Sequence, residues 1–285
     1  MKTPKIVIPS FSRPKTCYTV QYLLKWGVRD FTVLLHDQEQ KDMYLAAGIV
    51  PEENIVVSGV ERGITNQRNF IVNEFVPKGE WFITLDDNIR HFKKVIAKYY
   101  NNLDELPVED PSITQRDFNY EIAAWEMLEI VKQDIKKCEQ IGAKYGGFAS
   151  VDNYFFNAKK YKTVGYVISK AAYIFNDENA FYDPDLEAME DFGFTAHQLE
   201  KNGRLLINGW VKPVCKHYEE GGIGTYEKRV PRKIIDCEYL MKKYPNMFRY
   251  KEKKGCHPKA EIQLRFTNEQ QVAQWKESQS QGSLF

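Results

Sequence analysis

From Lys5 to Asp87, short apolar runs alternate with amphipathic ones. The runs KIVIPS (Lys5–Ser10), FTVLLHD (Phe31–Asp37), NIVVSG (Asn54–Gly59) and WFITLDD (Trp81–Asp87) are hydrophobic with few polar interruptions. Continuous apolarity, without strict alternation, means a strand buried on both faces, as in a parallel sheet. Between the runs lie segments of helical spacing. TCYTVQYLLKWG (Thr16–Gly27) places Val20, Leu23 and Leu24 on one side and stops at Gly27, KDMYLAAG (Lys41–Gly48) stops at Gly48, and TNQRNFIVNEF (Thr65–Phe75) is a third. Glycine is the usual residue just past a helix end. Strand and helix in alternation predict an α/β fold, an open and mostly parallel sheet flanked by helices.

After Phe92 the rhythm changes. LDELPVEDPS (Leu103–Ser112) is a Pro-rich acidic connector, and TQRDFNYEIAAWEMLEIVKQDIKKCEQIGA (Thr114–Ala143) predicts one long amphipathic helix. YGGFAS and KTVGYVISKAAYIF return strand-like runs, DLEAMEDFGFTAHQLEKNGR (Asp185–Arg204) is helical, and LLINGWVKPVCKHY contains a further strand. GGIGTY is a glycine-rich loop, EIQLRF a last strand, and TNEQ (Thr267–Gln270) a capping box that opens a final helix. We read one compound domain: a nucleotide-binding half over 1–92, an acceptor and catalytic half with a helical insert over 93–226, and a basic extension over 227–285.

Composition narrows the class. The chain has 285 residues, a net charge of +1 and five scattered cysteines, which suits a globular protein of the reducing cytoplasm rather than a disulfide framework. No apolar run approaches membrane-spanning length. Near-neutrality hides a sorted charge, because Lys228–Lys259 holds eleven Lys/Arg against three Asp/Glu. Basic residues interleaved with Tyr226, Tyr244, Phe248 and Tyr250 suit a groove that tracks a polyanion backbone and stacks bases. A solvated basic face is the plainer reading.

Ligands of open α/β sheets bind beyond the carboxyl ends of the strands. Ser10–Arg13, His36–Asp37, Gly59 and Asp86–Asn88 all fall there. Adjacent carboxylates at Asp86 and Asp87, followed by Asn88, form either a solvated turn or a hard-oxygen site for Mg²⁺ or Mn²⁺ bridging a diphosphate. Arg68, in the first turn of a helix, is either a plain surface arginine or a contact to a phosphate or a base. Glu187, Glu190 and Asp191 cluster at a helix start, either as favourable dipole electrostatics or as a general base. His217 adjoins the glycine-rich loop. A zinc set of Cys215, His217, Cys256 and His257 lacks paired spacing.

These pieces, in this order, resemble a GT-A glycosyltransferase. IVIPSFSRP, GITNQRNF, WFITLDDNI and MEDFGF are most similar to the TET-associated glycosyltransferases, found mainly in tailed bacteriophages. That resemblance implies sugar transfer from a UDP-sugar to hydroxymethylated pyrimidines in DNA, with 5-hydroxymethylcytosine foremost, by an inverting displacement in the host cytoplasm. It implies that Ser10, Arg13 and Asp37 line the nucleoside pocket and that Arg68, Asn69 and Asp86 meet the nucleotide sugar. Asp86, Asp87, Asn88 and His217 would hold Mn²⁺ or Mg²⁺. Asp191 would be the base, with Glu190 beside it. The motif departs from DxD at its third position, where Asn88 stands. Rival readings are a related transferase with a polysaccharide, lipid-linked or protein acceptor, a nucleotidyltransferase, and a degenerate nucleotide-binding module.

Overall fold

The computed structural model describes residues 3–95, 119–149, 160–215, 226–252 and 255–282. Strands β1 (Lys5–Pro9), β2 (Thr32–Leu35), β3 (Ile55–Val57) and β4 (Trp81–Leu85) alternate with helices α1 (Tyr18–Lys25), α2 (Gln38–Ala47) and α3 (Ile64–Phe70). The chain continues through β5 (Ile89–Val95), β6 (Asn119–Ile122), α4 (Ala124–Ile141), β7 (Tyr145–Phe148), β8 (Tyr161–Lys162), β9 (Ala171–Phe175) and α5 (Glu190–Asn202). It ends with β10 (Leu206–Asn208), β11 (Val211–Cys215), α6 (Tyr226–Lys243), β12 (Phe248–Tyr250), β13 (Ile262–Leu264) and α7 (Glu269–Gly282).

The main sheet runs β3-β2-β1-β4-β9-β7-β10-β8. Its first four strands are parallel neighbours, and β9 joins β4 antiparallel. The apolar runs are buried on both faces because successive side chains point opposite ways. Ile6, Ile8, Val33, Leu35, Ile83 and Leu85 pack with α1 and α4 on one side. Val7, Leu34 and Phe82 pack with Val72, Phe194 and Leu199 on the other. In β7, a Cβ on Gly146 would lie 2.8 Å from the Leu206 carbonyl and against the Tyr173 ring, so glycine is what lets these strands approach.

A second sheet, β11-β5-β6, stands beside the first. Here the helix predicted over Thr114–Ala143 is corrected, since residues 119–122 are a strand paired with β5 and the helix starts only at Ala124. The partner strand supplies backbone hydrogen bonds that local periodicity does not see. Likewise LLINGWVKPVCKHY holds two strands, β10 and β11, one in each sheet. The final capping box sits one residue later than predicted. Asn268 accepts from the Gln271 amide at 3.0 Å, and the Gln271 side chain accepts from the Thr267 amide at 2.8 Å.

The C-terminal elements form a third apolar cluster, in which Cys237, Leu240, Met247, Phe248, Ile262 and Trp275 pack on Leu186, Met189 and Ala196. Tyr244 and Phe248 are buried in that cluster, so they are not free stacking surfaces, whereas Tyr250 is exposed. The connector Leu103–Ser112, the glycine-rich loop before α6 and His217 lie outside the described residues.

Candidate active site

The carboxyl ends of β1, β2, β3 and β4 lie along one edge because these strands are parallel neighbours. At the β1 end, the Ser10 hydroxyl donates to Asp87 Oδ2 at 2.6 Å and lies 2.6 Å from the Tyr44 hydroxyl. Arg13 Nη1 pairs with Asp87 Oδ1 at 2.5 Å. Both Asp87 oxygens are thus engaged, and its side chain is only 6% exposed. The neighbouring Asp86 side chain is 33% exposed. Thr19, in α1, pins the turn between them by donating to the Asp86 carbonyl at 2.5 Å and accepting from the Ile89 amide at 3.0 Å. Asn88 is half-buried in the same turn.

The β2 end carries an aromatic and cationic group. Phe11 lies 5.0 Å from the His36 ring and 3.9 Å beneath the Arg62 guanidinium. His36 Nε2 reaches Asp37 at 2.9 Å, and Asp37 also caps α2 by accepting from the Gln40 amide at 2.8 Å. Asp37 therefore holds a structural post on the rim where it was predicted.

Arg68 is the central cation. Its side chain is 4% exposed, with Nη1 2.6 Å from Glu190 and Nη2 3.4 Å from Asp86. Burial works against its charge, but Glu190, Tyr182 and Asp86 beside it outweigh that and raise its pKa. Asn69 braces a neighbouring loop. Its amide donates to the Tyr182 carbonyl at 2.7 Å and accepts from the Tyr182 amide at 3.0 Å. One bond at each end thus holds the loop that leads to Glu190.

Glu190 and Asp191 open α5, facing different neighbours. Glu190 turns inward to Arg68, while Asp191 accepts from the Tyr166 hydroxyl and lines a cleft of about 350 Å³. Burial pushes the Glu190 carboxyl up to about 7, opposed by Arg68 and reinforced by Asp191. Burial also raises Asp191, against the Tyr166 hydrogen bond and Arg68.

Glu187 does not share their helix face. The predicted helix over Asp185–Arg204 begins only at Glu190, because Asp236 of α6 intercepts the preceding amides. Asp236 Oδ2 accepts from Glu187, Ala188 and Met189 at 3.1, 2.7 and 3.1 Å, and its Oδ1 pairs with Arg232 at 2.8 Å. Arg232 also pairs with Glu187 at 2.9 Å, and Lys243 with Asp183 at 2.6 Å. These residues recur along one face of α6, a spacing that the charge count of the segment passed over.

The pattern of a parallel sheet edge, an exposed carboxylate at the β4 tip and a carboxylate pair on α5 can be set beside known proteins. The model of the family described as TET-Associated Glycosyltransferase matches residues 4–208. The chain belongs to this family. A TET-associated glycosyltransferase is an enzyme that transfers sugar and therefore binds a sugar donor. A comparison with curated proteins finds no match. The family match takes in Arg68, Asp86, Glu190 and Asp191, and ends before α6, so the Arg232–Asp236 cap lies outside it.

Several residues of this candidate site were not singled out in the sequence: Arg62, Tyr166 and Tyr182. They come from loops whose positions only the fold defines. Among the described residues no three His, Cys, Asp or Glu side chains group as a metal cluster, which leaves Cys215, Cys256 and His257 without a zinc arrangement there. Nor is any described helix long and apolar enough to cross a membrane.

Proposed function

We propose that the enzyme moves a sugar from a UDP-sugar to the hydroxymethyl group of a modified pyrimidine in DNA, 5-hydroxymethylcytosine foremost, with inversion at the anomeric carbon. The observation that carries this reading is the placement of Asp191. Asp191 lines an open cleft, its carboxylate accepting from the Tyr166 hydroxyl and the Phe192 amide, while its neighbour Glu190 connects through Arg68 to Asp86 at the β4 tip. A base on one side and a cation-bearing rim on the other is the arrangement a direct displacement needs. The family's association with TET proteins, carried in its description, supports a DNA-base acceptor.

In this reading the acceptor hydroxyl oxygen forms a bond to C1 of the sugar as the bond from C1 to the diphosphate oxygen breaks. The electron pair leaves with the nucleoside diphosphate, and the acceptor proton passes to Asp191. Arg68 holds the inner carboxylates and presents positive charge towards the diphosphate. Ser10 and Arg13 act through Asp87, fixing the rim, and Phe11, His36 and Asp37 border the nucleoside.

The donor set at the β4 tip suits a divalent cation of modest protein ligation. Mg²⁺ and Mn²⁺ favour oxygen ligands, and Mg²⁺ in particular is bound by one or two carboxylates together with substrate phosphates. Asp86 offers the open carboxylate, Asn88 an amide oxygen in the same turn, and Asp87 is committed to Arg13 and Ser10. A cation held there by Asp86 would neutralise the departing diphosphate. His217 remains a proposed fourth ligand outside the described residues.

The test is incubation with hydroxymethylated and plain DNA and a panel of UDP-sugars, with Mn²⁺ or with EDTA, read by nucleoside mass spectrometry. A sugar mass increment on hydroxymethylated DNA alone, abolished by EDTA, is expected. Donor hydrolysis without any DNA product would overturn the acceptor. Transfer undiminished by EDTA would overturn the metal.

A further inference from the structure

The cleft in front of Asp191 is a composite of two parts of the chain. Its inner wall comes from the family-matched region: Asp191 itself, the Ala188–Met189 backbone, and the rings of Tyr166 and Phe192, stacked at 3.9 Å. Its outer wall comes from beyond that region, chiefly Arg229 and Lys233 of α6 with Glu261 beside Lys233. Arg229 and Lys233 are four residues apart and so share a helix face. Their place relative to Asp191 is held firmly, because Arg232 and Asp236 of the same helix clasp residues 185–189. Lys233 pairs with Glu261 at 2.6 Å.

A carboxylate within, aromatic rings alongside and two cations on the outer wall match the chemistry of a single nucleotide. An enzyme that works on a base of duplex DNA must take that base out of the stack into a pocket, and the volume lies in the range of ligand pockets, about 300–1,000 Å³. We propose that this cleft receives the acceptor nucleotide, with Arg229 and Lys233 binding its adjoining phosphate and its hydroxymethyl group directed at Asp191. The inference rests on the DNA reading above. In it, Glu261 is a competitor that Lys233 exchanges for phosphate. This also recasts the basic segment. Within it, Arg232, Lys243 and Lys259 pair with Glu187, Asp236, Asp183 and Glu238, and Lys233 pairs with Glu261 in the cleft wall.

The experiment uses the full chain and a short duplex containing one 5-hydroxymethylcytosine. Its readouts are the salt dependence of DNA binding and the KM values for DNA and UDP-sugar. The double variant Arg229→Gln/Lys233→Gln is expected to raise KM for DNA tenfold or more and to reduce the slope of log K against log salt by about 1, since each neutralised phosphate contributes about 0.9. Its KM for UDP-sugar should stay near that of the parent protein. Glu261→Gln is expected to act in the opposite direction and lower KM for DNA, which mere destabilisation would not do. An unchanged salt slope in the double variant, or weaker DNA binding in Glu261→Gln, overturns the proposal. Should the parent protein glycosylate an oligosaccharide and no DNA, the DNA reading itself fails. Modification of DNA by all variants alike overturns the cleft alone.

Discussion

Arg68 and Glu190, 122 residues apart in the chain, meet at 2.6 Å as a buried ion pair. One comes from the helix after β3, the other from the first residue of α5, so the pair ties the parallel part of the sheet to the α5 carboxylates. Removing one partner of a buried pair strands the other charge. Arg68→Ala is expected to lower stability by about 3–5 kcal/mol, measured as the urea midpoint. Arg68→Lys keeps the charge but lacks the planar fork that reaches Glu190 and Asp86 together. It should retain most of the stability and lose at least tenfold in sugar transfer. Equal stability for the alanine variant and the parent would remove the pair from the scaffold.

Asp86 and Asp87 are neighbours with opposite environments. Asp86→Asn removes a partly exposed carboxylate 3.4 Å from Arg68, a pair worth about 1 kcal/mol or less. Transfer and its dependence on Mn²⁺ should nonetheless be lost. Asp87→Asn breaks the pair with Arg13, with an expected destabilisation of about 3–5 kcal/mol. Melting curves of the two proteins separate the roles, and identical curves would contradict the division.

Base catalysis by Asp191 predicts an acid limb. With its carboxyl raised by burial, transfer should climb with pH from above the ordinary aspartate range. Asp191→Asn should cost about 10²–10⁴ in rate. Glu190→Gln removes the like charge beside it and should move the limb to lower pH. The stability effect of Glu190 has the reverse sense. A carboxyl raised from 4.5 to about 7 on folding contributes stability that is complete below about 4.5 and lost as pH rises through about 7. Urea midpoints between pH 4 and 8 should therefore decline less for Glu190→Gln than for the parent. An unshifted acid limb in that variant would separate the two carboxylates.

The Asp236 cap is expected to govern the loop before Glu190 and Asp191. Asp236→Ala strips a charged acceptor from three amides and from Arg232, for a loss of about 2–4 kcal/mol. Amide exchange at residues 187–189 should accelerate sharply. Asp236→Asn keeps one acceptor oxygen and should fall between. Unchanged exchange in Asp236→Ala would show that the loop is held by its apolar contacts instead.

Much of this protein was legible along the chain. The alternating runs of the first half specify strands buried on both faces, and residues at their carboxyl ends, Ser10, Asp37 and Asp86 among them, must then share a rim. Hydrophobic periodicity carries that information because it is local. The ends of elements were less legible where a distant partner decides them. Residues 119–122 are a strand because β5 is there to pair with them, and α5 starts late because Asp236 takes its amides.

The sequence by itself determined the sheet, its rim and the presence of carboxylates at both β4 and α5. Only the tertiary structure decided how those carboxylates divide their work. Asp87 is buried under Arg13 while Asp86 stays open, Glu190 turns to Arg68 while Asp191 turns to the cleft, and Asn69 braces a loop. The physical reason is that a side chain's role depends on burial and on the charge it meets, and both are set by residues far away in the chain.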